Sequence, residues 1–174
     1  MAVSIRPARP EEAGLLSELA LRSKAHWGYD ADFIASCREE LRLSDSELAD
    51  RRTAVAEREG AVVGFTTVEG EPPHGVLGMM FVDPEAIGQG IGRLLFAHAV
   101  QTARTSGFSQ LTIDADPNAE RFYEAMGAIP VGRAPSGSIP GRTLTQYVCT
   151  IPAAPIPPST RSNASVEQDE EVAE

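Results

Sequence analysis

Cysteine, aromatic residues and long apolar runs are all scarce in this sequence. Its 174 residues include two cysteines, Cys37 and Cys149, which lie far apart and show no metal-ligand spacing. We therefore expect two buried free thiols in a reducing compartment, and no metal. No apolar run approaches the length of a membrane span, and residues 1–7 lack the apolar core of a secretory signal. The sequence thus predicts a cytoplasmic protein that does not act at a membrane.

Basic residues are also in the minority. Lysine and arginine total 15 against 25 aspartates and glutamates, so the formal net charge is −10. This argues against nucleic acid as a partner, because phosphate backbones attract basic surfaces. After Ile151 a proline-rich stretch leads into a polar, acidic end. We expect one folded domain over residues 1–152 and a disordered acidic tail over residues 153–174.

The order of apolar patterns indicates an α/β fold with a mixed sheet. Strands and helices alternate through the middle of the chain, and antiparallel hairpins are predicted at both ends. Predicted strands cover residues 3–6, 53–57, 61–68, 76–82, 111–113, 128–132 and 144–151. Predicted helices cover residues 10 to about 26, 30–43, 93–104 and 118–126.

A glycine-rich segment follows the strand that ends at Asp83-Pro84. Gly88, Gly90 and Gly92 alternate immediately before an amphipathic helix. Glycine has no Cβ, so the backbone can approach a ligand closely, and the first N–H groups of a helix are free to bind phosphate. The pattern is therefore consistent with a cradle for a phosphorylated cofactor. A tight strand-to-helix connection, in which glycine serves only for turning, explains it equally well.

This segment resembles the acetyl-CoA loop of the GNAT family, the GCN5-related N-acetyltransferases. Val82-Asp83-Pro84 matches the end of the family's strand, and Gly90-Ile91-Gly92 matches the core of its Arg/Gln-x-x-Gly-x-Gly/Ala loop. The segment matches neither a Walker loop, which ends in Gly-Lys-Ser/Thr, nor the Gly-x-Gly-x-x-Gly dinucleotide motif. Ile87 occupies the Arg/Gln position, which removes one possible polar contact to the cofactor.

A second segment strengthens the resemblance. Asn118, Ala119, Phe122-Tyr123 and Gly127 resemble the family's Asn-x-x-Ala-x-x-Phe-Tyr-x-x-x-Gly-Phe segment. The gap between asparagine and alanine is shorter here, whereas Phe122-Tyr123 and Gly127 keep their spacing. The interval between the two segments fits one helix and one strand. Together they cover the carboxyl-terminal half of the predicted domain.

The resemblance implies an α/β fold with a mixed, mostly antiparallel sheet, a central pair of splayed parallel strands, and helices on both faces. It also implies acetyl-CoA as the cosubstrate, with its pyrophosphate on backbone N–H groups of residues 89–93 and its pantetheine arm between strands 76–82 and 111–115. Asn118 is expected to cap its helix, to bind the cofactor, or to do both. The expected cofactor contacts are Met80, Phe81, Val82, Ile87, Gly88, Gln89, Gly90, Ile91, Gly92, Arg93, Asn118 and Tyr123.

Tyr123 is the expected catalytic residue, because in the family this tyrosine lies near the cofactor sulfur and protonates the departing thiolate. The glutamate that many relatives place in the strand before the loop is absent from residues 77–80. An alkylamine has a pKa of about 10 and is mostly protonated at neutral pH, so a base or a water chain is needed elsewhere. Gly78, inside the same strand, suggests a bulge or a close backbone approach. The candidate bases are His26, Asp30, His74 and Asp116.

The segment His26-Trp27-Gly28-Tyr29-Asp30 holds the only tryptophan of the chain. In the family the corresponding connection lines the acceptor pocket, so His26, Trp27, Tyr29 and Asp30 are the expected acceptor-binding residues. Aromatic walls and a carboxylate suit a small ammonium-bearing substrate. An alternative is that Trp27 and Tyr29 merely cover the edge of the sheet.

The sequence thus predicts an N-acetyltransferase, monomeric or homodimeric, that moves an acetyl group from acetyl-CoA to a primary amine of a small molecule. Transfer is expected to be direct, since neither motif contains a cysteine. Two alternatives remain. One is an acyl-CoA-binding regulatory module without turnover, and the other is an enzyme that acetylates proteins.

Overall fold

The computed structural model describes residues 2–153, so the predicted tail beyond Ala153 lies outside the described residues. The strands are β1 (Val3–Pro7), β2 (Ala54–Arg58), β3 (Ala61–Glu69), β4 (His74–Val82), β5 (Gln110–Ala115), β6 (Ile129–Pro135) and β7 (Thr143–Thr150). The α-helices are α1 (Ala13–Ala25), α2 (Ala31–Cys37), α3 (Glu47–Asp50), α4 (Ile91–Thr105) and α5 (Glu120–Ala125). Within the described part, none of these helices has the length and apolar character to span a bilayer.

Seven strands join one sheet in the order β1-β2-β3-β4-β5-β7-β6. Every neighbouring pair is antiparallel except β4 and β5, which run parallel in the centre. The hairpin between β2 and β3 turns at Glu59-Gly60, where both residues take positive φ. The predicted α/β fold with a mixed, mostly antiparallel sheet is confirmed.

β4 and β5 separate soon after they meet. Their pairing is limited to His74 with Gln110, Gly75 with Leu111, and Val76 with Thr112. Among residues 2–153, the two strands have no paired positions beyond these. Their carboxyl-terminal halves therefore diverge, as expected for a splayed parallel pair.

β4 also carries a bulge at Gly78. The register between β3 and β4 shifts between Thr67 and Val68, which leaves Gly78 without a paired residue. The backbone of Met79, next to the bulge, is held by threonine side chains. Its N–H donates to Thr67 Oγ1 at 2.9 Å, and its carbonyl accepts from Thr66 Oγ1 at 3.1 Å. Because a bulge bends its strand, it contributes to the divergence of β4 from β5.

Helices cover both faces of the sheet. α1 buries Leu16 in an apolar cluster with Phe65 of β3. α4 lies on the opposite face, where Leu95 comes within 3.0 Å of the position that a Cβ would take at Gly64. Leu16, Phe65 and Leu95 are each 0% exposed. Burying a side chain of this size stabilises the fold by about 1.5–3 kcal/mol.

Two helices differ from their predicted extents. The helix predicted over residues 30–43 ends at Cys37, and the segment after it departs from helical bonding because the Leu43 N–H donates to Ser17 Oγ of α1 at 2.9 Å. The helix predicted over residues 118–126 begins as a short 3-10 turn, Pro117–Ala119, before α5. Asp116 caps this turn by accepting from the Asn118 N–H at 2.9 Å, so Asn118 is not itself the cap.

Candidate active site

A cavity of about 510 Å³ opens between the diverging halves of β4 and β5. The side chain of Gln89 turns away from it, since its amide donates to the Glu85 carbonyl at 3.0 Å and also bonds to Arg58. The fold gathers the other expected cofactor residues, from two separate segments, around this cavity. They are Met80, Phe81, Val82, Ile87, Gly88, Gly90, Ile91, Gly92, Arg93, Asn118 and Tyr123.

The loop from β4 to α4 makes a turn that requires glycine twice. Asp83 first caps the short 3-10 turn Pro84–Ala86 by accepting from the Glu85 N–H at 3.1 Å. Gly88 and Gly90 then take φ values of 81° and 83°, in the left-handed region that other residues avoid. A Cβ at either position would meet no described atom within 4 Å. Backbone conformation, and not crowding, therefore requires these glycines, and the space beside them is open.

α4 begins directly after this turn. Leu94 N–H donates to the Gly90 carbonyl at 3.3 Å, so the N–H groups of Ile91, Gly92 and Arg93 precede the helix's own bonds. These three residues line the cavity, and the first turn of α4 contains no acidic side chain. The positive end of the helix dipole favours an anion at this point. Free N–H donors beside glycine backbone therefore fit the pyrophosphate of a CoA molecule.

The two motif segments pack against each other. A Cβ at Gly92 would lie 3.2 Å from the Phe122 ring, which is a tight contact. Glycine at this position therefore allows α5 to approach the start of α4 closely. Phe122 also packs edge-to-face against Phe96, with ring centroids 6.2 Å apart. These contacts fix the position of Tyr123, the next residue on α5.

Tyr123 lines the cavity and is only 6% exposed. Its ring lies against Phe96, Phe122 and Tyr147, with centroid distances of 6.2, 5.3 and 6.4 Å. Among residues 2–153, no hydrogen bond engages its hydroxyl. Burial raises the pKa of Tyr123 above its ordinary value of 10.0, so the hydroxyl stays protonated at neutral pH. A protonated phenol beside an open cavity is able to donate its proton to a ligand.

Asp116, at the carboxyl end of β5, is the centre of a polar cluster. Its carboxylate accepts from the Tyr29 hydroxyl at 2.8 Å and lies 3.4 Å from Arg142 Nη2 and 3.9 Å from Lys24 Nζ. Asn118 donates to it through its backbone N–H at 2.9 Å and its side-chain amide at 2.8 Å. Burial alone raises the pKa of Asp116, but the hydrogen bonds from Asn118 and Tyr29 and the charge of Lys24 outweigh it. The pKa therefore lies below the ordinary 3.8, and Asp116 is an ionised anchor.

The predicted acceptor segment is divided between the cavity and this cluster. Trp27 lines the cavity and is 46% exposed, while His26 packs edge-on against its ring at a centroid distance of 5.0 Å. Tyr29 is held by Asp116, and Asp30 caps α2 through its side chain. Of the four predicted acceptor residues, the structure places Trp27 alone on the cavity wall.

The four candidate bases are not brought together. His74 lies where β4 is still paired, opposite Gln110, and so away from the splay. His26 and Asp30 do not line the cavity. Asp116 does line it, but its lowered pKa and its four partners suit a structural anchor better than a proton acceptor. The structure therefore singles out none of the four as the base for the acceptor amine.

Part of the cavity wall comes from residues that sequence patterns do not single out. Most of them depend on how α1 and the segment after α2 cross the end of the sheet, which no local pattern encodes. Asp114 is the exception. It alternates with the buried Ile113 and Ala115, so its position on the other face of β5 was readable from strand periodicity. These additional wall residues include Ser23, Lys24, Glu40, Leu41, Asp114 and Leu144.

A mixed sheet that opens between two central parallel strands, above a glycine turn that starts a helix, is the architecture of an acyl-CoA-dependent acyltransferase. Residues 28–136 match the family model described as the acetyltransferase (GNAT) domain. The chain therefore belongs to the GNAT family. It is an N-acetyltransferase.

Relatives of this chain differ in the acceptors that their names give. It is 33% identical over 140 residues to the peptidyl-lysine N-acetyltransferase YjaB of Salmonella typhimurium, across 77% of this chain and 88% of that protein. It is 29% identical over 139 residues to the 5-NmdU N-acetyltransferase of Pseudomonas phage PaMx11, across 78% of this chain and 93% of that protein. The PaiA N-acetyltransferase from Thermoplasma acidophilum, solved with coenzyme A, shares the fold. Its TM-score is 0.70 at 18% identity, over 86% of this chain and 99% of that one.

Proposed function

We propose that this enzyme transfers the acetyl group directly from acetyl-CoA to the primary amine of a small molecule. The observation that carries the proposal is that the start of α4 and the hydroxyl-bearing Tyr123 lie on one cavity. Neither Cys37 nor Cys149 lines that cavity, and both are buried free thiols. Donor and acceptor can therefore meet in one place, with no cysteine positioned to carry the acyl group between them.

The donor side of the cavity is built from the two motif segments. We assign the backbone N–H groups of Ile91–Arg93 to the pyrophosphate and the main chain of Val82 to the pantetheine arm. Tyr123 is the general acid that protonates the departing thiolate. Burial raises the pKa of Tyr123, so the hydroxyl keeps its proton at neutral pH and a proton is available when the thiolate forms.

The acceptor side is formed by Trp27, Glu40 and Asp114. Glu40 forms no ion pair within the described residues, and Asp114 accepts a hydrogen bond from the Gln146 amide at 3.0 Å. One exposed aromatic ring and two carboxylates suit a ligand that carries an ammonium group. A cavity of about 510 Å³ lies within the usual range of small-ligand sites.

A peptidyl lysine is the second candidate acceptor. It presents the same alkylammonium group, so the chemistry of Trp27, Glu40 and Asp114 applies to it as well. Its specific support is the 33% identity to YjaB, which is named a peptidyl-lysine N-acetyltransferase. The two candidates differ in whether residues beyond the amine-bearing side chain contribute to recognition.

The experiment is an amine screen with acetyl-CoA, read out as free thiol and corrected for hydrolysis without amine. Alkylamines, amino acids, amino sugars and lysine-containing peptides are compared at equal amine concentration. We expect a small amine to give the highest kcat/KM. A lysine peptide that exceeds every small amine would replace the first candidate with the second. If no amine in the panel raises thiol release above the hydrolysis rate, acetyl transfer to amines is refuted altogether.

We also propose that the enzyme works in the cytoplasm as a monomer or homodimer. The support for the compartment is that Cys37 and Cys149 are both unpaired. The support for a dimer is edge strand β6, where Ile129 and Val131 are 64% and 56% exposed. Light scattering of the purified enzyme distinguishes the two assemblies.

A further inference from the structure

A carboxylate from β3 occupies the place of a missing side chain on β4. A Cβ at Gly78 would overlap Oε2 of Glu69. Glu69 is the last residue of β3 and pairs with Val76, two residues before Gly78. Gly78 lines the cavity at the point where β4 leaves β5. The Glu69 carboxylate therefore lies beside the splay, although Glu69 belongs to a different strand.

The carboxylate is held in that place by identifiable contacts. Thr67 Oγ1 donates to Glu69 Oε2 at 2.7 Å, and the same Oγ1 accepts from the Met79 N–H at 2.9 Å. Glu69 Oε1 lies 3.7 Å from Arg51 Nη1, and the Glu69 side chain remains 27% exposed. Arg52, beside Arg51, donates to the carbonyls that flank Glu69, at 3.3 and 3.2 Å. The carboxylate is thus positioned beside the cavity wall at Gly78 and remains partly exposed.

Glu69 and Tyr123 lie on opposite faces of the sheet. Side chains alternate along β3, so Glu69 shares its face with Phe65, which packs in the α1 cluster. Val68, the residue before Glu69, points to the opposite face and packs in the cluster that contains Tyr123. On β5, Asp114 alternates with Ile113 and Ala115 of that second cluster, so it lies on the same face of the sheet as Glu69. One face of the splay therefore presents carboxylates, and the other presents the phenol.

We infer that Glu69 is the proton acceptor for the incoming amine, an inference that rests on the function proposed above. The ammonium group loses one proton to the Glu69 carboxylate. The nitrogen lone pair then forms the C–N bond to the acetyl carbon, and the C–S bond breaks with its electrons on sulfur. Tyr123 gives its proton to that sulfur and recovers one from the new amide nitrogen. Glu69 passes its proton to water, so each turnover releases one proton.

The first test is Glu69→Gln, which keeps the shape of the side chain and removes the base. At pH 7, kcat/KM for the amine should fall by about 10²–10⁴. The deficit should shrink as the pH approaches the amine pKa of about 10, because free amine then forms without a base. With CoA bound, affinity for the ammonium acceptor at pH 7 should also weaken in calorimetry. CoA affinity itself should be unchanged.

Glu71→Gln is the matched control. Glu71 is an exposed residue of the loop between β3 and β4, so its variant loses the same charge two residues away. We expect wild-type activity and a wild-type pH profile for it. Gly78→Ala is an independent test, since the added Cβ must displace the Glu69 carboxylate while the glutamate is retained. It should reproduce the pH-dependent loss, and combining it with Glu69→Gln should cause no further loss.

The outcomes are distinguishable. Wild-type activity in Glu69→Gln, or a loss that is equal at every pH, overturns the inference and leaves the proposed function standing. A wild-type enzyme that acetylates no amine overturns both. If Glu69→Gln melts below the assay temperature, Gly78→Ala decides, and a wild-type pH profile in that variant overturns the inference.

Discussion

Tyr123 and Tyr147 lie in the same apolar cluster with ring centroids 6.4 Å apart, yet their hydroxyl groups have different surroundings. Tyr147 donates to Glu124 at 2.8 Å, and burial together with that hydrogen bond raises its pKa to about 12. Burial also raises the pKa of Tyr123, but its hydroxyl has no bonded partner in the described chain and opens on the cavity. At the scale of single residues, the free hydroxyl, and not burial, distinguishes the proposed general acid from a tyrosine that is bonded within the fold.

Tyr123→Phe should separate chemistry from packing. The variant keeps the ring contacts with Phe96 and Phe122 and removes only the proton donor. We expect kcat to fall by about 10²-fold, the lower end for acid catalysis, because a thiolate is a good leaving group. CoA affinity and melting temperature should stay near wild type.

Tyr147→Phe is the control, since its ring lies in the same cluster without reaching the cavity wall. It should lose some stability, through the bond to Glu124, and retain its kcat. Equal kcat in Tyr123→Phe and wild type at saturating amine would remove Tyr123 from the mechanism.

The elements around the cavity use glycine for three separate reasons. Gly88 and Gly90 supply positive φ in the loop between β4 and α4. Gly92 provides room for the Phe122 ring, which lets α5 approach α4. Gly78 leaves space on β4 for a carboxylate from β3. A strand, a loop and two helices therefore depend on missing side chains to form one site.

Gly90→Val should weaken CoA binding by about tenfold or more in calorimetry. Valine at a φ of 83° is strained by about 1–2 kcal/mol or more, so the loop should shift and move the N–H groups at the start of α4. The variant should remain folded at the assay temperature, so that unfolding caused by the strain does not explain the loss of CoA affinity.

Gly60→Val is the matched control for that variant. Gly60 has a φ of 78° and equally open surroundings, but it lies in the hairpin between β2 and β3. It should lose a similar amount of stability and keep its CoA affinity. Equal CoA affinity in Gly90→Val and wild type would show that the loop does not bind the pyrophosphate.

At the scale of the whole molecule, the Asp116 cluster connects parts of the chain that are distant in sequence. It joins α1 through Lys24, the segment before α2 through Tyr29, and the loop between β6 and β7 through Arg142. Arg142 also stacks over the Tyr29 ring at 5.5 Å. The cluster therefore holds the proposed acceptor side of the cavity against the end of β5.

Asp116→Asn should lower stability at neutral pH by about 1–3 kcal/mol, because charged partners lose their counter-charge. A carboxyl with a lowered pKa stabilises the fold above its ordinary value of 3.8, and this contribution is lost as the pH falls through the lower folded-state value. The melting temperatures of variant and wild type should therefore converge below about pH 4.

Asp45→Asn, at an exposed loop position, should follow wild type at every pH. A constant difference between Asp116→Asn and wild type from pH 7 to pH 3 would mean that the charge of Asp116 does not stabilise the fold.

Several features were predictable from sequence because they follow from local physical rules. Strand and helix periodicity gave the mixed sheet, with most boundaries within two or three residues. Alternating glycines before an amphipathic run located the loop, since glycine takes the φ found at Gly88 and Gly90 without strain. Gly78 lies inside a predicted strand, and this position indicated the bulge that the structure contains. The roles of Tyr123 and of the predicted cofactor contacts stay predictions, although all those residues except Gln89 line one cavity.

Other features depend on the tertiary structure alone. Leu43 is buried where its N–H bonds to Ser17 of α1. Tyr29 donates to Asp116, whose partners come from three other parts of the chain. The placement of Glu69 depends on strand register, on a bulge one strand away and on the separation of β4 from β5. Local sequence determines backbone conformation within a few residues. Which side chain fills the space above a glycine is decided by the neighbouring strand.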